Sequence, residues 1–444
     1  TKGKPMPVIL RFTFPLMIGN MFQQLYNMAD TIIVGRYVGA DALAAVGSTG
    51  TIMFLITGFS QGITSGFSVR VSQKYGAMDK VAVKRNVANG ILLSVISIMI
   101  MTAFTSSVMR PLLRLMNTPD NIYDMAYSYI IVICIGIAAN IFYNLFSSYL
   151  RAIGNSQIPL FFLVFSACLN VVLDLLFVVK LQMGVAGAGW ATVTSQLISG
   201  LTCLIYMYKK YDILKGDKSE RVLDRRFITN LCMNGVPMGL QYSITAIGST
   251  ILQAAVNTLG STYVAAMTAG SKMFNFTCCP FDALGSTMAT YAGQNVGAAK
   301  IKRLGQGVRS AMIIGSVYSV LSLIALYFTT DYIALLFVNA SETTIIALTR
   351  QFILASACFY IPLTGVNVVR FCIQGMGFSV FAISAGILEM IGRAFAAIIL
   401  IPSIGFMGAC LASPIAWIAA DAFLFPAFIH CAKKLNARHN IKSN

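Results

Sequence analysis

The sequence predicts an all-α integral membrane protein, with twelve transmembrane helices in two pseudo-symmetric six-helix lobes around a central cleft. Three observations carry that expectation. First, the 444 residues are 57% apolar and only 11% charged, with a mean hydropathy of +0.76, whereas a soluble domain carries about 25% charged residues. Second, several windows hold no Lys, Arg, Asp or Glu at all, among them 42–69, 86–109, 125–150, 181–208, 310–330 and 394–420. Each exceeds the roughly 20 residues that cross a bilayer as a helix. They lack the alternation of a barrel strand, and lipid-facing backbone must satisfy its own hydrogen bonds, so helices are the remaining solution. Third, the chain repeats itself.

Taken in order, the spans fall near 8–34, 44–72, 86–109, 124–149, 157–179, 184–208, 229–256, 264–292, 307–329, 345–371, 378–401 and 405–431. Span one contains Pro15, which removes a backbone donor and predicts a bend, or merely a fixed kink, below Asp30. Its polar residues predict a retained span rather than a cleaved signal. Spans two and eight both close on Gln-x-x-Gly-Ala, at Gln73–Ala77 and Gln294–Ala298. Span five carries "LNVVLDLLF", span six opens on "GVAGAGWATVTSQ", and span eleven holds Glu389 and Arg393 four residues apart.

Shifting the chain by 221 to 223 residues superposes its halves: Pro15 on Pro237, Gly39 on Gly260, Ala44 on Ala265, Asn117 on Asn339, and Gly184–Ala188 on Gly405–Ala409. One offset held over so long a stretch marks a duplication. Six spans per copy make the repeat parallel, with both copies entering the membrane from the same side. The halves are residues 1–208 and 227–444, joined by a charged linker at 209–226 and followed by a short cytoplasmic tail.

Lys and Arg favour cytoplasmic loops. With the N-terminus inside, Lys74, Lys80, Lys84, Arg85, Arg151, Lys300, Lys302, Arg303, Arg309 and Arg370 fall on the cytoplasmic side, as do the linker and the tail. Only Arg36, Arg110, Arg114, Lys180 and Arg350 fall outside. Both termini are then cytoplasmic in a cell membrane, inner or plasma. The net charge of +17 is spread over these membrane-proximal loops, which fits anionic lipid and excludes a nucleic-acid module. Ten cysteines without metal spacing, and His430 and His439 near the chain end, leave no metal centre, no cofactor and no enzyme active site.

The buried charges are therefore the candidates for function. A carboxylate inside a span costs about 2.5–3.5 kcal/mol on insertion scales, so it should face the bundle interior with partners. Asp30 near the outer end of span one, Asn170 and Asp174 on one face of span five, and Thr192 two turns into span six all share one depth. Two carboxylates, an amide and a hydroxyl form an oxygen donor set suited to H+ or Na+ and poorly suited to zinc or copper. The plain alternative is that Asp30 bonds Asn27 or a tyrosine and only locks helices together. Glu389 and Arg393 are read either as an intrahelical pair or as a substrate or proton contact. Asp282, beside Pro280, is read as facing a cavity or packed; Lys272 does not share its face. Asp421 is expected to be solvated.

These residues, with "FPLMIGNMFQQLYNMADTIIVGRYVGADALAAVG" at Phe14–Gly47, the Gln-x-x-Gly-Ala endings, and "RAIGNSQIP" at Arg151–Pro159 with its counterpart "QGMGFS" at Gln374–Ser379, resemble the multidrug and toxic compound extrusion (MATE) transporters. The likeness is to the DinF-like prokaryotic branch and covers essentially the whole chain. It implies a secondary antiporter in the lipid bilayer that exports small amphipathic, often cationic, organic compounds in exchange for H+ or Na+ by alternating access; a monomer is expected. It further implies that Asp30, Asn170, Asp174 and Thr192 bind the coupling cation, that Pro15 bends span one, and that Gln23 and Tyr26, beside Asn27, line the drug cavity. The acidic residue that another branch carries in span seven is missing. A flippase for a lipid-linked oligosaccharide is the rival reading. It would want many basic side chains in the spans, where the sequence places only Arg70, Lys272 and Arg393.

Overall fold

In the computed structural model the apolar stretches form helices throughout the described residues, 2–116, 118–215 and 224–443, with no strand among them. Asn117, the centre of the 209–226 linker and the side chain of His439 lie outside that description. The first half of the chain runs α1 (Pro5–Tyr37), α2 (Ala40–Ser48), α3 (Gly50–Gly76), α4 (Lys80–Leu115), α5 (Asp120–Ile135), α6 (Ile137–Ala152), α7 (Gln157–Asp174) and α8 (Val185–Lys210). The second half runs α9 (Arg225–Asn257), α10 (Ser261–Gly297), α11 (Lys302–Ala334), α12 (Thr343–Ala357), α13 (Tyr360–Gly375), α14 (Ser379–Phe395), α15 (Ile401–Ile404) and α16 (Phe406–Ser443).

These elements make twelve crossings. α2 and α3 form one, as do the bent pairs α5 with α6 (47°) and α12 with α13 (51°). Nine crossings are apolar enough to span by composition alone. α1, α9 and α10, at 33, 33 and 37 residues, are long enough but carry the polar side chains discussed below. Elsewhere the exposed faces are oily: Leu92, Ile96, Met99, Ile100 and Phe104 on α4, and Val317, Leu321, Ile324 and Phe328 on α11, stand outside the core. In water such faces would aggregate; in lipid they are the solvated surface.

The duplication reappears in backbone geometry. Left-handed residues recur in pairs: Gly39 (φ 124°) and Gly260 (φ 115°), Met78 (φ 59°) and Ala299 (φ 61°), Gly154 (φ 95°) and Gly377 (φ 90°), Gly184 (φ 66°) and Gly405 (φ 64°). A π-helical turn follows α7 at Leu175–Lys180, and a second follows α14 at Ala396–Leu400, one repeat later. Such turns hold an extra residue in a helix and recur at functional sites.

Contacts divide the chain into two units. One holds Thr1–Met17 with Leu240–Asn444, the other Ile18–Gly239. The sequence places the division in the linker, whereas the contacts place it inside α1 and α9, two residues beyond Pro15 and Pro237. Neither proline interrupts its helix. In the C-terminal unit the first turns of α1 are held by Thr13 Oγ1 donating to Thr287 Oγ1 at 2.8 Å and Arg303 Nη2 donating to the Gly3 carbonyl at 2.9 Å. Ile9 is fully buried in that unit's core beside Met288 and Leu304. In the N-terminal unit, Gly62 and Gly66 of α3 meet Gly235 and Gly239 of α9. A Cβ on Gly66 would stand 2.4 Å from the Gly235 Cα, and one on Gly62 would stand 2.5 Å from the Met238 carbonyl oxygen. Two Gly-x-x-x-Gly faces thus bring backbones together where lipid supplies no hydrophobic drive.

Candidate functional site

Asp30 sits seven residues before the end of α1, and Asp174 six residues before the end of the π turn that follows α7. Thr192 lies seven residues into α8. At 1.5 Å per residue each stands about 10 Å from the nearer end of its helix, the C-terminal end for Asp30 and Asp174 and the N-terminal end for Thr192, which fits the shared depth read from the sequence.

Their side chains meet. With its amide oriented so that both ends are satisfied, Asn170 donates to Asp30 Oδ1 at 2.7 Å and accepts from the backbone N–H and the hydroxyl of Thr192, each at 3.3 Å. The Thr192 hydroxyl also lies 3.5 Å from Asp30 Oδ2 and 3.1 Å from the Ala188 carbonyl. The Asp30 and Asp174 carboxyl groups lie within interaction range of each other, and two ionised carboxylates so placed repel unless a proton or a cation is shared between them. Asp174 is fully buried, and its Oδ1 has no partner. That orphaned acceptor fits a site completed by H+ or Na+. Asn27 is exposed, and its backbone oxygen accepts from Thr31 at 2.9 Å, so Asp30 is held by Asn170 and Thr192 rather than by Asn27.

The surroundings are polar on one side. The Tyr26 hydroxyl bonds Gln23 and Gln196, Asn140 Nδ2 donates to Gln196 Oε1 at 3.4 Å, and the Tyr129 hydroxyl lies 3.4 Å from Met53 Sδ. Thr192, Gln196, Asn140 and Ser60 border a cavity of about 20 Å³, room for one water. Asn140 Oδ1, buried without a partner, is an acceptor for it. Gln196, Asn140 and Tyr129 are absent from the sequence-based set. The run Thr192–Gln196 shares a helix face and pointed to Gln196; the other two lie on α5 and α6, which nothing in the sequence ties to Asp30.

The C-terminal unit holds a second charged cluster. Glu389 Oε1 accepts from Arg370 Nη2, and its Oε2 lies 3.6 Å from Arg393 Nη2. The intrahelical Glu389–Arg393 pair is therefore present, yet Arg370 is the closer partner. The sequence assigned Arg370 to the cytoplasmic side because its span was ended at 371; the helix runs on to Gly375, and Arg370 is buried within it. Asp421 is half-buried with an unpartnered Oδ1 rather than solvated, because it packs against Gly365 of α13, where even a Cβ would stand 2.6 Å from its Oδ2. Asp282 is exposed in the middle of α10. Among the described residues no group of three His, Cys, Asp or Glu side chains is placed to hold a metal.

Comparison with known proteins bears on this arrangement. The MatE family model matches residues 15–176 and 237–402, one match for each repeat. A protein of Bacillus subtilis (strain 168) named "Probable multidrug resistance protein YpnP" is 32% identical over 376 residues, 83% of this chain and 82% of its own. A second from the same organism, "Probable multidrug resistance protein YoeA", is 27% identical over 78% of this chain and 77% of its own. Among solved structures, "Outward-facing conformation of a multidrug resistance MATE family transporter of the MOP superfamily" shares the fold with a TM-score of 0.92 at 23% identity, covering 98% of this chain and 97% of that one.

Proposed function

Because this chain belongs to the MatE family, we propose that it is a multidrug exporter, a multi-pass membrane antiporter and not an enzyme, that expels amphipathic, often cationic compounds in exchange for H+ or Na+ by alternating access. The observation that carries the coupling half of this reading is the Asp30–Asn170–Asp174–Thr192 cluster, two carboxyl groups in contact about 10 Å inside one membrane face. Ionised, the pair attracts a cationic substrate; holding a proton or Na+, it no longer does, and the substrate is released. A ligand shifts two states only through its different affinity for them, so substrate and ion need not share atoms. Gln23, Tyr26 and Asn27, polar and on the same stretch of α1, are assigned to the substrate path. On this proposal the protein acts as a monomer in the cell membrane with both termini cytoplasmic.

The test is efflux of a fluorescent organic cation from proteoliposomes under a pH gradient or a Na+ gradient imposed separately. The native chain responds to at least one gradient, which names the ion, and Asp30→Asn loses that response. If the variant still couples, the cluster is a helix clamp and the assignment fails. If the native chain ignores both gradients, antiport of that cation fails.

A further inference from the structure

We infer that Arg370 and Arg393 form a carboxylate-binding subsite in the C-terminal unit, one that takes the anionic group of a zwitterionic or acidic amphipathic substrate. The inference rests on the export reading for the kind of ligand and on this cluster for the place.

Two guanidinium groups bring ten N–H donors into a region at membrane depth. Their side chains are 8% and 9% exposed, and among the described residues the one carboxylate in contact with them is Glu389, itself 4% exposed. Arg370 Nε and Arg393 Nη1 are buried with no acceptor. The Nη1 edge lies against α9, where a Cβ on Gly248 would stand 3.5 Å away. Beside them Gln374 Nε2 donates to Gln241 Oε1, which leaves Gln374 Oε1 unpartnered. Structural ion pairs in a membrane are balanced, because each unmatched charge is costly there; this contact set carries one positive charge too many. Two further acids, Asp282 and Asp421, attract Arg370 from a distance, yet neither forms an ion pair with it among the described residues, and Asp421 Oδ1 stays unpartnered.

Two arginines sharing one contacting carboxylate, with Arg370 Nε and Arg393 Nη1 left unpartnered, present planar, forked donors that match a planar, monoanionic acceptor. A carboxylate meets that description and can be held through two parallel N–H···O bonds. An inorganic phosphate carries the same oxyanion chemistry but more charge than the set can neutralise.

The experiment uses two probes that differ in one group, rhodamine B with a free carboxylate and its ethyl ester. Binding to the purified full chain is read by fluorescence anisotropy, and efflux of the ester is read separately in proteoliposomes. Arg393→Gln should lower the carboxylate-to-ester affinity ratio about tenfold, the loss of one charge-assisted contact. Arg393→Lys should restore part of it, and Glu389→Gln should raise the ratio by freeing both arginines. Benzoate should displace the carboxylate probe, and inorganic phosphate at equal concentration should not. An unchanged ratio in Arg393→Gln, or a ratio that falls in Glu389→Gln, makes the cluster a structural tie and overturns the proposal. Displacement by phosphate as strong as by benzoate overturns the organic carboxylate in favour of a free inorganic ion. Loss of ester efflux in the native chain is the separate failure of the export reading, since the binding ratio does not depend on it.

Discussion

Thr192 shows how a neutral side chain tunes a charged site. Its hydroxyl lies 3.3 Å from the Asn170 amide oxygen, 3.5 Å from Asp30 Oδ2 and 3.1 Å from the Ala188 carbonyl. One hydroxyl hydrogen cannot serve every acceptor at once, so it is positioned to favour whichever state leaves Asp30 ionised. Thr192→Val keeps the volume and deletes that donor. A hydrogen bond to a charged group contributes about 1.5–3 kcal/mol, so apparent affinity for the coupling ion, read from the concentration dependence of gradient-driven efflux, should change about tenfold while Asp30→Asn abolishes the response. An unaltered dependence would remove Thr192 from the site. The four cluster residues were legible because a carboxylate in an apolar span is costly enough to advertise itself, and because the four-residue spacing of Asn170 and Asp174 fixes a common face. Arg370 was not legible: a basic residue near a span end reads as a loop residue under the positive-inside rule, and only the observed helix end at Gly375 moves it inside.

At the scale of elements, nine crossings stand out by composition alone and the repeat supplies the other three, but their internal irregularities are not legible. A π turn holds one residue more than the α turn it replaces and needs no special residue type, so "LLFVVK" at Leu175–Lys180 and "AAIIL" at Ala396–Leu400 look like ordinary helix. Both begin one residue after the same repeat position, occupied by Asp174 in one half and Phe395 in the other. The distortion is thus common to both halves, and the acid is present in only one. The Gly-x-x-x-Gly faces were visible in principle, as "GITSG" at Gly62–Gly66 and "GVPMG" at Gly235–Gly239; what the sequence lacks is any sign that they meet. Because a Cβ at Gly66 would overlap the Gly235 backbone, α3 and α9 must separate to admit one. Gly66→Val should therefore destabilise the detergent-purified protein by about 1–3 kcal/mol, seen as a lower thermal midpoint. Gly305→Ala, where an added Cβ meets nothing within 4 Å, should leave the midpoint near native. Equal midpoints for the two variants would show that the glycine contact does not hold the helices.

Across the whole molecule, the cluster's depth gains meaning only through orientation. Asp30 and Asp174 lie near the C-terminal ends of α1 and of the π turn after α7, and Thr192 near the N-terminal end of α8. Within the same unit the opposite ends carry basic residues, with Lys74 closing α3, Lys80 opening α4, and Lys209 and Lys210 closing α8. Losing Arg370 from that side does not change the bias, since these positions remain. If basic ends stay cytoplasmic, the acid pair opens toward the outside, where an inward gradient delivers its ion. The orientation is checked by fusing the C-terminus to green fluorescent protein and, separately, to alkaline phosphatase in a bacterial host. Bright fluorescence with inactive phosphatase is expected there, and active phosphatase for a fusion in the connection between α11 and α12. The reverse pattern would set the acid pair at the cytoplasmic face, where the same ion gradient would have to be met from the wrong side, and the exporter assignment would fail even with every contact in the cluster intact.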